Sequence, residues 1–224
     1  MVIHEIDRDS AGLLADEAER VFSLDGGWLA LDFVNTLSNR LEAVPTERLG
    51  RFADLVAWSR QSGAINDDDA ALLLRAATDR PAEAAAVLER ARGLRETLHD
   101  VFAALAAGQS VEPPRLEALN RELAQTLACS RLDEREGEWL WAWGGDPLEF
   151  ERLLWYPARS AADLLTSSEL ENTRECASDS CAWLFLDNTR NRSRRWCDMQ
   201  VCGNRAKAKR HYARRKNSIL SPDN

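Results

Sequence analysis

The chain has 224 residues, of which 45% are hydrophobic and 29% are charged, a composition typical of a globular protein with one or two domains. Its first twenty residues carry charges throughout, and no apolar run approaches the roughly 20 residues that cross a bilayer. These features argue against a signal peptide, a membrane segment and disulfide bonds, and they predict a cytoplasmic protein with reduced cysteines.

The net charge of −8 is divided unevenly along the chain. Residues 172–224 contain 12 Lys and Arg against 5 Asp and Glu, whereas residues 1–171 contain 17 against 32. An acidic body followed by a basic end predicts two modules, the second of which faces a polyanion. We therefore assign residues 1–170 to a first domain, residues 171–217 to a basic module and residues 218–224 to a tail.

Helical periodicity dominates the acidic body and predicts a mainly α fold. Apolar residues at helical spacing, prolines at first-turn positions and polar residues at N-cap positions mark six helices. They are expected at 27–39, from Thr46 to Gln61, from Asn66 onward, at 81–108, at 113–129 and at 147–165, the last with a kink at Pro157.

One segment of the body departs from the helical pattern. Trp139, Trp141 and Trp143 recur at period two, which predicts a strand with all three rings on one face. Residues 130–135 are the expected partner strand of a small β-hairpin. We expect the three rings to pack on the helices, with a ligand pocket as the alternative.

Four cysteines in the basic module have the spacing of a metal site. Cys176-x4-Cys181 is followed, fifteen residues later, by Cys197-x4-Cys202, and two such pairs match tetrahedral zinc ligation by four thiolates. Four protein ligands leave no position for a catalytic water, so one structural zinc ion is predicted. Loss of any ligand is expected to unfold this module and leave the body intact. Cys129 lies outside the pattern and is predicted to be a small buried residue.

The insert between the cysteine pairs predicts the fold of the module. Residues 182–187 (AWLFLD) are expected to form a strand and residues 194–197 (RRWC) its return strand, joined by a polar turn. Residues 203–216 contain strong helix formers and no helix breaker. A hairpin followed by a helix that brings the last ligand resembles a treble-clef zinc finger.

Cations occupy two elements of this module. A helix turns by about 100° per residue, so the charges of the predicted helix cover most of its circumference, and the hairpin tip adds further arginines. Arg, Asn and Ser supply donors that contact phosphates and base edges. DNA is therefore the predicted partner, and a solvated helix docked on the acidic body is the alternative. The predicted DNA-binding residues are Arg190, Arg192, Arg194, Arg195, Asn204, Arg205, Lys207, Lys209, Arg210, Arg214 and Arg215.

Residues 202–205 (CGNR) lie in a segment, residues 173–215, that resembles the bacterial CGNR zinc-finger family. Residues 26–36 (GGWLALDFVNT) resemble the start of the ABATE domain that precedes this finger. The resemblance implies a stress-induced transcription regulator in which the four cysteines bind zinc and the finger binds DNA. It places Asn204 and Arg205 at the helix start, either against DNA or bracing the finger. It also implies that the ABATE part binds a small molecule.

Polar residues of the body are candidates for contact with that small molecule. Asp32, Asn35 and Thr36 lie at i, i+3 and i+4 on one face of the first predicted helix, and Arg95 is a fourth candidate. The alternative is a buried hydrogen-bond network that ties this helix to its neighbours.

Two other functions compete with a DNA-binding regulator. A zinc-stabilised protein-interaction module would dock its basic finger on an acidic partner. An enzyme acting on a small molecule in the helical domain has less support, because the three histidines are far apart and no phosphate loop or dinucleotide fingerprint occurs; no catalytic residue is assigned. A lone finger reads few bases, so a homodimer would favour specificity, although no heptad repeat indicates how it forms.

Overall fold

A computed structural model describes residues 20–220, with side chains described through residue 212. This part of the chain is mainly helical with small β-hairpins, which confirms the predicted fold class. The helices are α1 (Leu29–Val34), α2 (Phe52–Gln61), α3 (Asp67–Asp79), α4 (Pro81–Ala106), α5 (Pro113–Ala128), α6 (Arg152–Leu165) and α7 (Asn204–Leu220). The strands are β1 (Leu37–Ser38), β2 (Thr46–Glu47), β3 (Ser130–Arg135), β4 (Glu138–Trp143), β5 (Thr173–Glu175) and β6 (Leu184–Leu186).

Helix α4 is the centre of the body and contacts all of the other helices from α1 to α6. Helix α1 is almost entirely buried, and the Phe33 ring packs on Trp58 with centroids 5.0 Å apart. The rings of Phe52 and Phe150 lie 4.8 Å apart, and tilted aromatic pairs of this kind contribute about 0.5–1.5 kcal/mol beyond burial. None of the described helices is long and apolar enough to span a membrane.

The first helix is shorter than predicted because a polar pair ends it. Helix α1 stops at Val34, and the Asn35 side chain bonds the backbone of Leu184 instead of continuing the helical surface. The Thr36 hydroxyl donates to the carbonyl of Phe33 at 2.7 Å. Side chains of this type compete with helical backbone bonds, so the chain leaves the helix and enters β1.

The second helix begins six residues later than predicted. Thr46, its expected N-cap, lies in β2 opposite Ser38. Helix α2 begins at Phe52, where the Asp54 carboxylate accepts the N–H of Arg51 at 2.8 Å and satisfies one of the free donors of the first turn.

Predictions for the middle helices are confirmed. Asn66 caps α3 by accepting the N–H of Asp69 at 2.8 Å, and α4 and α5 begin at the two predicted prolines. Helix α6 does not begin at residue 147 as predicted; it begins at Arg152, because a turn around Asp146 precedes it, and Pro157 lies inside it.

The tryptophan hairpin forms with the predicted strands, but two of its rings do not pack as expected. Strands β3 and β4 pair over all six residues of each. Trp143 lies 5.5 Å from Trp155 and 5.3 Å from Tyr156, measured between ring centroids. Trp139 and Trp141 are more than half exposed, because the hairpin extends from the body; the Trp141 ring meets α6 at one face, under the guanidinium of Arg159.

The hairpin of the cysteine module differs from the predicted one. Strand β6 pairs with β5 and not with residues 194–197. Those residues are held by Arg194, whose N–H donates to the Asp187 carboxylate at 2.8 Å and whose guanidinium donates to the carbonyls of Trp196 and Cys197. Bonds between side chain and backbone compete with a strand ladder.

Strand β6 connects the cysteine module to the body. Leu184 and Leu186 belong to the apolar core of the body, whereas Phe185 packs among the cysteines. The N–H of Leu186 donates to the carbonyl of Gly26 at 2.8 Å. Helix α7 continues through residue 220, and the rest of the predicted tail lies outside the described residues.

Candidate metal centre and basic groove

The four predicted ligands converge on one point. The sulfur atoms of Cys176, Cys181, Cys197 and Cys202 all lie within 4.8 Å of one another and are buried. The Sγ atom of Cys197 is 3.7 Å from that of Cys181 and 3.7 Å from that of Cys202. These distances are far longer than a disulfide bond of about 2.05 Å, so the cysteines are free.

The cluster fits one structural zinc ion. With Zn–S bonds of about 2.3 Å, the corners of a regular tetrahedron lie about 3.8 Å apart. The two sulfur–sulfur distances of 3.7 Å agree with that geometry. Four thiolates close the coordination sphere, so the ion stabilises the fold and offers no position for a reactive water. The predicted cofactor is confirmed.

Backbone hydrogen bonds shape the first cysteine pair into a tight knuckle. The N–H of Cys176 donates to the carbonyl of Trp183 at 2.8 Å, and the N–H of Cys181 donates to that of Ser178 at 3.2 Å. Ala182 has a φ of 56°, in the left-handed region that residues with a side chain seldom adopt. The sharp turn brings both sulfur atoms to the same side.

An aspartate organises the second cysteine pair. Asp198 accepts the N–H groups of Gln200 and Val201 at 2.5 and 3.3 Å and caps the π-helical turn (Met199–Gly203) before α7. The Met199 side chain folds over Gly203, so a Cβ at this position would require the Met199 thioether to move. Asp198 was not among the predicted site residues, although an acidic residue just before a helical stretch is a cap signal.

A groove of about 540 Å³ lies between the first knuckle and α7. Residues 177–180 form one side of it and the first turns of α7 the other. Arg205 donates to the Ser180 hydroxyl at 2.8 Å, which fixes its guanidinium between the two sides. Four of the predicted DNA-binding cations line this groove: Arg195, Arg205, Lys209 and Arg210.

Most of the remaining predicted DNA-binding residues lie outside the groove on the same module. Arg190, Asn204 and Lys207 are exposed. Arg192 is also exposed and forms an ion pair with Glu171 at 2.7 Å. The side chains of Arg214 and Arg215 lie outside the described residues.

Arg194 occupies a structural position within the finger. Its guanidinium lies 4.4 Å from the centroid of the Phe185 ring and donates to the carbonyl of Trp196 at 3.0 Å and to that of Cys197. Stacking and hydrogen bonding together occupy much of its donor surface. The structure therefore assigns it to bracing the Cys197 ligand.

The candidate small-molecule residues of the body are buried and bonded to protein. Asp32 accepts the N–H of Gly26 at 2.8 Å, and Asn35 donates to the carbonyl of Leu184 at 2.8 Å and accepts its N–H at 3.0 Å. Burial raises the pKa of Asp32 to about 6, while the Gly26 N–H opposes the rise and the charge of Asp25 adds to it. Asn35 is the residue that ends α1, one turn after Asp32, and its N–H still bonds the carbonyl of Leu31 at 3.0 Å.

Arg95 completes the same buried network. Its guanidinium forms two hydrogen bonds with the Glu47 carboxylate, at 2.6 and 2.7 Å, and a third with Glu96 at 2.8 Å. Burial would raise the pKa of Glu47, but the hydrogen bonds and charge of Arg95, together with the Leu49 N–H and the charge of Arg92, hold that pKa below its usual value. Thr36 accepts a longer bond of 3.4 Å from Arg95. These contacts favour the hydrogen-bond network over direct ligand contact.

A second cavity, of about 220 Å³, lies between the body and the cysteine module. Its walls come from segments that are distant from one another in the sequence, so no local pattern predicted it. Asp32, Asn35 and Arg95 form hydrogen bonds with Gly26, Leu184 and Glu47, respectively. These three partners are next in the chain to the wall residues Asp25, Trp183 and Arg48, so the hydrogen-bond network holds three of the wall segments in place. The body lines the cavity with Ser23, Asp25, Ser38, Asn39 and Arg48, and the module with Trp183, Asp198, Val201, Arg205 and three of the cysteines.

Cys129 does not join the metal centre, and its predicted burial is wrong. The residue is half-exposed at the end of α5. The chain turns there into the hairpin of β3 and β4, where few side chains reach the core.

Two family models match the chain in the predicted order. Residues 27–168 match ABATE, described as "putative stress-induced transcription regulator", and residues 173–215 match the CGNR zinc finger. No curated protein matches the chain. Because the first match spans more than half of the sequence and the second contains all four clustered cysteines, this chain belongs to the ABATE family and carries a CGNR zinc finger.

Proposed function

We propose that this protein is a transcription regulator whose zinc finger binds duplex DNA along the basic groove. The observation that carries the proposal is the row of four cations between the first knuckle and α7. Positive side chains gathered along one groove follow a phosphate backbone better than scattered charges do. We place this regulator in the cytoplasm, where its cysteine thiolates stay reduced.

The ion pairs in and near the groove are weak enough to exchange for phosphate. Lys209 pairs with Asp179, and both side chains are 73% exposed. Arg192 and Glu171 form a similar exposed pair outside the groove. Exposed pairs contribute about 0–1 kcal/mol, so a DNA phosphate can replace either carboxylate at little cost.

Base contacts are assigned to the exposed polar residues at the start of α7. Asn204 and Lys207 are exposed on the first two turns. Amide and ammonium groups at the N-terminal end of a helix are suited to base edges in the major groove. We extend the same surface to Arg190 and to the more distant Arg214 and Arg215.

The effector site is proposed at the cavity between body and finger. A ligand there would contact Arg48 of the body and Arg205 of the finger together. Asp25 and Asp198 line the same cavity, so a small polar molecule with both positive and negative groups is favoured. Asp32, Asn35 and Arg95 would then position the cavity walls without contacting the ligand.

The DNA proposal is tested with the zinc-loaded full chain and a mixed-sequence duplex across a salt series. Six phosphate contacts give a log–log slope of about −5, and the Arg195→Ala, Arg210→Ala double variant should reduce it by about 2. Arg75→Ala, an exposed residue of α3, is the matched control and should leave the slope unchanged. Weak binding even at low salt would contradict the proposal and favour the protein-interaction alternative.

The effector proposal is tested by thermal unfolding with free amino acids, monocarboxylates and amines. A ligand that occupies the cavity raises the unfolding midpoint by mass action. Arg48→Ala should abolish that rise while leaving DNA binding in the absence of ligand intact. If no compound raises the midpoint, or if Arg48→Ala responds like the wild type, the cavity is not the effector site.

A further inference from the structure

The loop between β1 and β2 (residues 39–45) brings the body to the basic groove. The N–H of Arg40 donates to the carbonyl of Cys181 at 3.3 Å, and the N–H of Leu41 donates to that of Ser180 at 3.4 Å. The next residue, Glu42, lines the groove together with the four cations of the finger. The groove is therefore built from both regions of the chain.

The base of this loop is held in place before any partner binds. The Arg40 side chain is 8% exposed, and its guanidinium donates to Glu96 at 2.6 Å and to the carbonyl of Val34 at 3.2 Å. Within the loop, the N–H of Glu42 donates to the carbonyl of Asn39 at 3.0 Å. A loop that is ordered in advance loses little conformational entropy when it meets a ligand.

Glu42 differs from the second carboxylate that lines the groove. Asp179 pairs with Lys209, whereas the Glu42 side chain forms no ion pair or hydrogen bond within the described residues. A free carboxylate in a phosphate-binding groove repels the DNA backbone, and this cost is offset only where a base donates a hydrogen bond to it. In the major groove, the N4 amino group of cytosine is the donor that a glutamate accepts.

The outer part of the loop exposes apolar side chains. Leu41 is 58% exposed and Val44 is 82% exposed. Pro45 follows Val44 and restricts its backbone to extended conformations. Apolar side chains contact the C5-methyl group of thymine in the major groove. The loop thus offers an acceptor and an apolar group, two kinds of base contact that ammonium and guanidinium groups do not make.

We propose that the β1–β2 loop is a second base-reading element of the protein, in addition to the start of α7. The proposal rests on the DNA binding proposed above and assigns part of the sequence specificity to the body. Glu42 accepts a hydrogen bond from the N4 amino group of a cytosine, and Val44 contacts the methyl group of a thymine next to it. Guanine and thymine present carbonyl acceptors in place of the cytosine amino group, so the carboxylate also rejects these bases by repulsion.

The proposal is tested on a duplex site selected from a random library by the zinc-loaded full chain. Each base pair of the site is replaced in turn, and affinity is measured by fluorescence anisotropy at fixed salt. For the wild type, replacing one C·G pair by T·A should weaken binding about tenfold, a usual cost for a lost base contact. For Glu42→Ala the same replacement should change affinity by less than about twofold, while replacements elsewhere in the site keep their wild-type cost.

Mixed-sequence DNA separates base reading from a structural role. Glu42→Ala removes a negative charge from the groove, so its affinity for a mixed-sequence duplex should rise by about two- to fivefold. A distorted groove would instead bind every duplex more weakly. Glu117→Ala removes an exposed carboxylate of α5 and is the control, which should match the wild type on both duplexes. Val44→Ser should reduce the preference for thymine at the adjacent position by about threefold and leave the salt slope unchanged.

The outcomes separate this proposal from the proposed function. A loop variant that keeps every wild-type base preference, or that weakens binding to all duplexes alike, would overturn the role of the loop while DNA binding stands. The same holds for a wild type that binds DNA without sequence preference. A wild type that binds no duplex at low salt would overturn both proposals.

Discussion

The body and the zinc finger reach stability by different means. The body buries about thirty apolar side chains around α4, whereas in the described part of the finger three aromatic residues, Phe185, Trp183 and Trp196, pack around the four cysteines. A segment of this size cannot bury enough apolar area to fold by that means alone. Metal ligation replaces the missing area and contributes on the order of 10 kcal/mol.

These two regions nevertheless share one strand. Successive side chains of a strand point to opposite faces, and β6 applies this rule across the junction: Leu184 and Leu186 enter the body while Phe185 enters the finger. Asn35 adds two buried hydrogen bonds to the backbone of the same strand. Apolar burial stabilises the body and metal ligation stabilises the finger, but the shared strand is expected to couple the folding of the two regions.

The largest expected effect comes from removing zinc. Cys202→Ser should abolish zinc binding and unfold the finger, and it should also lower the unfolding midpoint of the body, because β6 loses its finger-facing support. Circular dichroism melts and zinc content per chain measure both changes. Cys129→Ser, outside the cluster, is the control and should retain one zinc ion. A body that melts at the wild-type temperature would show two independent modules, as the sequence alone suggested.

Substitutions at adjacent residues of β6 should have different effects on the body and on the finger. Leu184→Ala leaves a cavity in the body core and should cost about 2–5 kcal/mol, seen as a lower free energy of unfolding in urea. Phe185→Ala should cost about 3–5 kcal/mol, and it should also speed zinc release to a chelator, because the ring packs on the ligands and under Arg194. Equal zinc release from both variants would contradict the assignment of the two faces.

Loss of the hydrogen bonds of Asn35 is expected to have the next largest effect on stability. Asn35→Ala removes both partners of a buried backbone N–H and C=O at Leu184, which should cost about 2–4 kcal/mol. Because those groups belong to β6, body stability and zinc retention should fall together. Asn120→Ala, exposed on α5, provides the control. A loss of body stability with unchanged zinc retention would show that β6 does not couple the regions.

The sequence predicted those features that depend on local pattern. Four cysteines at fixed spacing identified the metal centre, and Asn66 with the two first-turn prolines located the starts of three helices. The partner of β6 was missed, because RRWC has the residues of a strand and only the tertiary bonds of Arg194 prevent one. The exposure of Trp139 and Trp141 was also missed, since period two defines a shared face but not what covers it.

The smallest expected effect is a pH dependence of stability at Asp32, which is connected to β6 through Gly26. Its carboxylate holds Gly26, and the Gly26 carbonyl accepts the N–H of Leu186 at 2.8 Å. The pKa of Asp32 is raised from 3.8 to about 6 by burial, so the folded state binds the proton more tightly than the unfolded state. Stability from this residue is therefore greatest at low pH and falls as pH rises through 6.

Asp32→Asn keeps an acceptor for the Gly26 N–H and removes the charge. Its stability relative to the wild type should rise by about 1–2 kcal/mol between pH 5 and pH 7.5, measured by urea unfolding at each pH. Comparing the two proteins at the same pH cancels the effect of acid on zinc binding, which both share. Asp68→Asn removes an exposed carboxylate of α3 and should show no such trend. A constant difference between the Asp32 variant and the wild type would mean that this carboxylate is ionised throughout the range, and that its bond to Gly26 stabilises the charged form against burial.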